Sequence, residues 1–255
     1  MKLTGKTILI TGASSGIGKY VALEAAKQQV NLVLAARSLD KLEAVKSEAQ
    51  KLGAEVLVVA TDVTKEEDIT RLFEQAVQKF GTIDVVFSNA GLGYIRPIYD
   101  LTMSEISQIL DVNVKGMILV AKVAADYMKK QSQGGHIILT SSVAGVVTLP
   151  EWSVYVASKW AVLAFADCIR PELKPYNVKV TTVHPGPIRT EFFNTAKATD
   201  KIVGKMIEPD YVAREICKIM MTNKERLYLP KSIVLASVFY RLFPRLSKFI
   251  TSRMK

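Results

Sequence analysis

Tyr155 and Lys159, in Tyr155-Val-Ala-Ser-Lys159, are two side chains whose types and spacing suit the movement of a proton. On a helix an i, i+4 pair projects from one face, so the phenol and the ammonium group can share a site. A free phenol titrates near pH 10 and carries protons poorly at neutral pH, whereas a cation beside it favours the phenolate and brings the pKa toward the working range. Alone the pair is a weak signal, because Tyr and Lys at this spacing are usually surface neighbours. Its company strengthens it. Ser141-Ser142 ends an apolar run with Ser142 thirteen residues before Tyr155, Asn89-Ala90-Gly91 ends another, Pro185-Gly186 follows a third, and Asn113 lies in a long helical pattern.

The elements that must bring these residues together alternate along almost the whole chain. Residues 7–11, 31–36, 55–60, 84–87, 136–141 and 179–183 read as strands. They are apolar without clean alternation, as expected where both faces of a parallel sheet are covered. Helical patterns occupy 15–28, 40–52, 65–80, 104–130 (long enough to break once), 152–176 and 210–222, and Pro171 is expected to bend the fifth of them. This rhythm predicts an α/β chain with a Rossmann-type doubly wound parallel sheet, a single domain over 1–230 followed by a basic C-terminal extension over 231–255. In such a sheet ligands bind outside the carboxyl ends of the strands, and Asn89, Ser142 and Pro185-Gly186 all map to that edge.

The first strand runs into Thr11-Gly-Ala-Ser-Ser-Gly-Ile-Gly18. Gly12, Gly16 and Gly18, with Ser14, Ser15 and Ile17 between them, permit a tight turn and let backbone N–H groups approach a pyrophosphate at a helix N-terminus. The spacing is not the usual G-x-G-x-x-G, so the dinucleotide reading rests on the strand before and the helix after. An acid at the end of the second strand would hold the 2′-hydroxyl of NAD. Here Ala36 stands there, and Arg37 follows it, a residue able to pair with a 2′-phosphate. The expected cofactor is therefore NADP(H), with Asp62-Val63 at the end of the third strand as the next place to touch the adenine.

Taken together, TGASSGIG at 11–18, NAG at 89–91, Asn113, Ser142, YVASK at 155–159 and PGPIRT at 185–190 resemble the short-chain dehydrogenase/reductase family, over about residues 4–229. The resemblance implies a catalytic tetrad of Asn113, Ser142, Tyr155 and Lys159. Tyr155 would exchange a proton with the substrate oxygen and Ser142 would hydrogen-bond that oxygen. Lys159 would hold the nicotinamide ribose and lower the Tyr155 pKa, and Asn113 would orient a water leading to Lys159. It further assigns Asn89, Ala90, Gly91, Pro185, Gly186, Ile188 and Thr190 to the cofactor, and implies a homodimer or homotetramer.

The substrate loop is expected over about 190–207, with Phe192 and Phe193 as an apolar lid and Leu92, Tyr94, Leu149 and Trp152 beside the site. A small-molecule carbonyl or secondary alcohol of apolar character is the expected substrate, a long-chain lipid ketone being one subclass. A catalytically idle dinucleotide-binding regulatory or interaction protein is the alternative, and an intact tetrad speaks against it. His136 and His184 read as structural.

The bulk properties narrow the rest. With 255 residues, 49% hydrophobic and 23% charged, the chain is not disordered, fibrous or a disulfide scaffold. Cys168 and Cys217 have no partner motif, so no metal is expected and free thiols in a reducing compartment fit best. Of the net charge of +10, seven positive charges fall after Glu225 with no acid among them, leaving +3 for the rest. That tail can meet an anionic membrane surface, a second subunit or its own substrate cleft. Nucleic acid is not an expected partner, because no recognition motif accompanies the charge. With no export signal and no long apolar run, a cytoplasmic location is expected, with peripheral membrane contact left open through the tail.

Overall fold

Each apolar run pairs with another far along the chain, since a strand buried on both faces can satisfy its backbone only through neighbouring strands. The computed structural model describes residues 3–196 and 206–251. Its strands are β1 (Thr7–Thr11), β2 (Asn31–Ala36), β3 (Glu55–Ala60), β4 (Val85–Ser88), β5 (Gly135–Thr140), β6 (Val178–Pro185) and β7 (Arg226–Leu229). They form one parallel sheet in the order β3-β2-β1-β4-β5-β6-β7. The direction of the order reverses between β1 and β4, which opens the crevice where doubly wound sheets bind ligands. β7 extends the sheet expected from the sequence by one edge strand.

Successive residues of each strand feed opposite layers. Ile8 and Ile10 of β1 pack with α1 (Gly16–Ala26), α2 (Leu39–Lys51) and α8 (Pro209–Ile219) through Val21, Leu42 and Val212. Leu9 packs on the other face with α3 (Glu66–Phe80), α5 (Met117–Met128) and α6 (Ser153–Leu173) through Phe73, Val120 and Val162.

Two expectations need correction. The helical stretch at 104–130 does not break: α4 (Met103–Leu110) continues into α5 through a π-helical segment, Asp111–Gly116. The wider turn absorbs the irregularity without ending the helix, and such segments often mark functional positions. Pro171 does not interrupt α6, which runs through it to Leu173: the proline removes only its own N–H bond to the Asp167 carbonyl, and the helix has two residues left to run. A short α7 (Phe192–Thr195) precedes the undescribed part of the substrate loop. After β7 come α9 (Ile233–Leu242) and α10 (Pro244–Thr251), joined at Phe243.

Candidate active site

The turn after β1 has the shape its glycines require. Gly12 and Gly16 take φ of +65° and +51°, a region that favours glycine. A β-carbon at Gly18 would lie 2.3 Å from the Gly12 carbonyl oxygen, so the α1 N-terminus approaches β1 as closely as only glycine allows. Ser15 does not cap α1 with its side chain, and no acid lies in the first turn, so N–H groups there remain available for an anion. Asn89 braces the turn from β4 through Nδ2 to the carbonyl oxygens of Thr11 (3.3 Å) and Gly12 (3.5 Å). Thr11 Oγ1 in return accepts the N–H groups of Asn89 (3.0 Å) and Ala90 (3.2 Å). At the end of β2, Arg37 is exposed and has no side-chain partner among the described residues. Asp62 accepts from the N–H and hydroxyl of Thr64 (3.0 and 2.8 Å), while Val63 packs where a β-carbon at Gly116 would sit, 2.9 Å away. These features suit a dinucleotide: a backbone cradle, a helix N-terminus and an unpaired guanidinium, on the side of β1 toward β2.

The predicted tetrad converges at the same edge. Asn113 is fully buried in the π-helical segment. Its Oδ1 accepts from Leu92 N (2.9 Å), and its Nδ2 donates to Leu92 O (2.8 Å) and Ser158 Oγ (3.1 Å). Ser158 Oγ donates to Tyr155 O (2.7 Å), which links Asn113 to the first turns of α6. Lys159 is 3% exposed and donates from Nζ to the Thr140 carbonyl oxygen (3.1 Å). Gly91 keeps the space between Asn113 and Lys159 clear. A β-carbon there would meet Oδ1 of Asn113 at 3.2 Å and Nζ of Lys159 at 3.5 Å. Ser142 accepts from Ala144 N (3.1 Å), donates to the Pro185 carbonyl oxygen (3.4 Å), and lies close enough to the Tyr155 phenol to favour its charged form.

Burial sets the protonation of the pair. It pushes the Tyr155 phenol up to about 12, against a smaller opposing effect of the Ser142 hydrogen bond, and pulls the Lys159 ammonium group down to about 8. The phenol is therefore held protonated, the form that donates, and the ammonium group stays charged at neutral pH. Lys159 Nζ stands 5.6 Å from the centroid of the Tyr155 ring and donates to Thr140 O.

Aromatic side chains wall the phenol. Trp152 meets Tyr155 edge-on at 5.8 Å and Phe192 lies 5.6 Å from it, with Phe193 against both Trp152 (6.3 Å) and Phe192 (5.5 Å). Ile95 and Ala196 complete this cluster, and Ala144, Val156 and Trp160 close the other side of the phenol. Of the remaining expected wall residues, Leu92 acts through its backbone on Asn113, and Tyr94 turns its hydroxyl to Gln108. Loop residues 197–205 lie outside the described residues. Sequence reasoning missed Thr11, Ile95, Ser158 and Gly93, where a β-carbon would come within 3.0 Å of both the Phe192 and Tyr155 rings. Ser158 was within reach of it, being inside the Tyr-x-x-x-Lys motif on the turn that faces Asn113. Both histidines are structural: His136 sits between Met220 O and Thr181 Oγ1, and His184 bonds Thr182 and stacks on Tyr228.

Residues 6–201 match the family described as short chain dehydrogenase. The chain belongs to that family. This short chain dehydrogenase is 41% identical over 204 residues to an uncharacterized oxidoreductase of Listeria monocytogenes, covering 79% of this chain and 81% of that one. It is 38% identical over 193 residues to a farnesol dehydrogenase of Aedes aegypti, 73% and 79% of the two chains. The solved alcohol dehydrogenase of Thermococcus sibiricus, a complex with 5-hydroxy-NADP, matches with a TM-score of 0.79 and 30% identity over 88% of this chain and 95% of its own. Related solved structures are complexes with NADP-type and with NAD-type nucleotides. The protein is an oxidoreductase of this fold. Ile188 is buried in the same cluster as Ala13 of the glycine turn, and a β-carbon at Gly16 would lie 3.9 Å from the Thr190 side chain.

Proposed function

We propose that this oxidoreductase transfers a hydride between NADP(H) and a carbonyl or secondary alcohol of an apolar small molecule, with Tyr155 as general acid and base. The observation that carries the reading is the convergence of Asn113 and Lys159 on Gly91, with the Tyr155 ring 5.6 Å from Lys159 Nζ and Ser142 beside the phenol, one strand from the glycine turn. The nicotinamide, when bound, supplies the hydride and, once oxidised, a positive charge. In the reducing direction Tyr155 gives its proton to the carbonyl oxygen as charge develops there, and Ser142 donates a hydrogen bond to the same oxygen. Lys159, held by Thr140 O, keeps its charge behind the phenol and is the residue that would hold a ribose hydroxyl. Asn113 fixes the Leu92 backbone and α6, so it positions rather than reacts. Gly12, Ser14, Ser15, Gly16, Ile17 and Gly18 would receive the pyrophosphate, Asp62, Val63, Asn89, Ala90 and Gly91 the adenosine and ribose side, and Pro185, Gly186, Ile188 and Thr190 the carboxamide.

The NADP(H) preference rests on Ala36 and the unpaired Arg37. The apolar substrate rests on the wall of Trp152, Phe192, Phe193 and Ile95, and agrees with the name of the farnesol dehydrogenase relative. Residues 1–230 would carry this chemistry, in a homodimer or homotetramer, with 231–255 as an extension. Following the absorbance of reduced nicotinamide against a panel of apolar ketones and diketones tests the function. Turnover faster with NADPH than with NADH is expected. No turnover with either cofactor across the panel would return the protein to the binding-module reading.

A further inference from the structure

The C-terminal hairpin is amphipathic in the reverse of the usual sense. The face of α9 turned to the protein carries Ile233, Ser237 and Tyr240, at i, i+4 and i+7. Ile233 packs with Val146 and Leu163, and the Tyr240 hydroxyl bonds Thr148 Oγ1. Val146 and Thr148 belong to the segment between Ser142 and α6, so the hairpin is fixed to the loop that leads from Ser142 to the helix carrying Tyr155 and Lys159. The large apolar side chains face outward instead. Leu235 is 75% and Leu242 67% exposed, and Val238, Phe243 and Leu246 accompany them. An apolar surface of this extent marks an interaction site rather than ordinary scatter.

The charge on the same element has one sign. Residues 231–255 contain six basic residues and no acid. Lys231 and Arg245 are exposed, and no carboxylate of the described residues pairs with either. A two-fold contact between copies would set these cations against their own kind, with no acid in the element to offset them. An anionic apolar boundary fits both properties at once. The two helices, of 10 and 8 residues, suit lying in that boundary, and no helix among the described residues is long and apolar enough to cross a membrane.

We propose that the α9–α10 hairpin docks the protein on an anionic lipid bilayer, with Leu235, Val238, Leu242, Phe243 and Leu246 in the interface and Lys231 and Arg245 among the headgroups. Resting on the oxidoreductase reading, and because the hairpin is anchored in the loop that joins Ser142 to α6, the substrate that follows is an apolar carbonyl compound dissolved in the bilayer.

Co-sedimentation of the full chain with phosphatidylglycerol-containing vesicles and with pure phosphatidylcholine vesicles tests the docking. It should be run at low salt and at about 1 M salt, where the Debye length is about 3 Å. Binding to the anionic vesicles only, released by salt, is expected. Lys231→Ala and Arg245→Ala should each weaken it roughly fivefold, the value of about one charge near an anionic surface. Leu235→Asp combined with Leu242→Asp should weaken it more than about tenfold with an unchanged melting temperature, since both side chains are already in water. Wild-type protein that stays in the supernatant at low salt overturns the docking. So does a Leu235→Asp/Leu242→Asp protein that loses oligomer mass and keeps its vesicle binding, which assigns the face to a second copy. For the substrate, the double variant should slow reduction of a vesicle-dissolved ketone but not of a water-soluble one; equal slowing of both overturns delivery from the bilayer. Vesicle binding without turnover of any ketone upholds the docking and overturns the oxidoreductase reading instead.

Discussion

The two ends of β5 each hold a base stripped of water, and they handle it in opposite ways. At the start of the strand, burial lowers His136 to about 4, so the imidazole is neutral at pH 7, and both ring nitrogens have partners in Met220 O and Thr181 Oγ1, each at 2.8 Å. At the other end, burial brings Lys159 down only to about 8, so it stays charged, with Thr140 O as its hydrogen-bond acceptor at 3.1 Å. A neutral, doubly partnered group serves the fold. A buried cation with one carbonyl partner costs stability, since desolvation penalises the charged form, and such a group is kept where chemistry needs it. The sheet therefore separates a structural edge from a reactive edge along a single strand.

Removing the buried charge should move activity and stability in opposite directions. Lys159→Met should lower turnover by about 10²–10⁴-fold, the range for losing a positioned catalytic group, and weaken cofactor binding. It should also raise the stability of the cofactor-free protein by about 1–3 kcal/mol, because a desolvated charge is replaced by an apolar chain of similar length. Activity assays beside denaturant melts check both, and a Lys159→Met protein less stable than wild type would contradict the assignment of a strained charge. The pH dependence of stability separates the ends next. His136 titrates near 6.5 when unfolded and about 4 when folded, so the folded state binds fewer protons between these values. Its contribution is intact above pH 6.5 and is lost as the pH falls toward 4, on the order of 3 kcal/mol. Lys159 works in another window, where stability should rise from pH 8 toward 10.5. Chemical denaturation across pH in wild type, His136→Leu and Lys159→Met should erase one window in each variant.

At the cofactor end the expected effect is smaller. Arg37→Ala or Ala36→Asp should shift the preference for NADPH over NADH by on the order of 1.5–3 kcal/mol, the worth of a hydrogen bond to a charged group. Titration of both nucleotides reads it, and an unchanged ratio in Ala36→Asp would discard the NADP(H) preference. Smallest is the stability cost of His136→Leu at neutral pH, about 1–3 kcal/mol from leaving Met220 O and Thr181 without their partner, with turnover unchanged.

Much of the reactive edge was legible because it is written in local motifs. Tyr155 and Lys159 lie on one helical face, the glycine turn needs positive φ where glycines stand, and Asn89 follows an apolar run. Six strands were readable from their continuous apolar character. β7 was not: its four residues, Arg-Leu-Tyr-Leu, alternate and form an edge, and only pairing with β6 makes them a strand. The π-helical segment was also hidden, since the helical period continues through Asp111–Gly116 and the extra residue is taken up by packing Gly116 against Val63. The tail's basic, apolar composition was plain, but which face turns outward depends on Ile233 and Tyr240 finding Val146 and Thr148, contacts about ninety residues away in sequence.

Tyr155→Phe removes one hydroxyl, the proposed proton donor, and leaves the aromatic wall in place. Steady-state turnover of an accepted ketone and the nucleotide Kd should be measured on the same protein. Turnover should fall by about 10²–10⁴-fold with the Kd for NADPH nearly unchanged, because only the proton donor is lost. Turnover near the wild-type value would contradict that role.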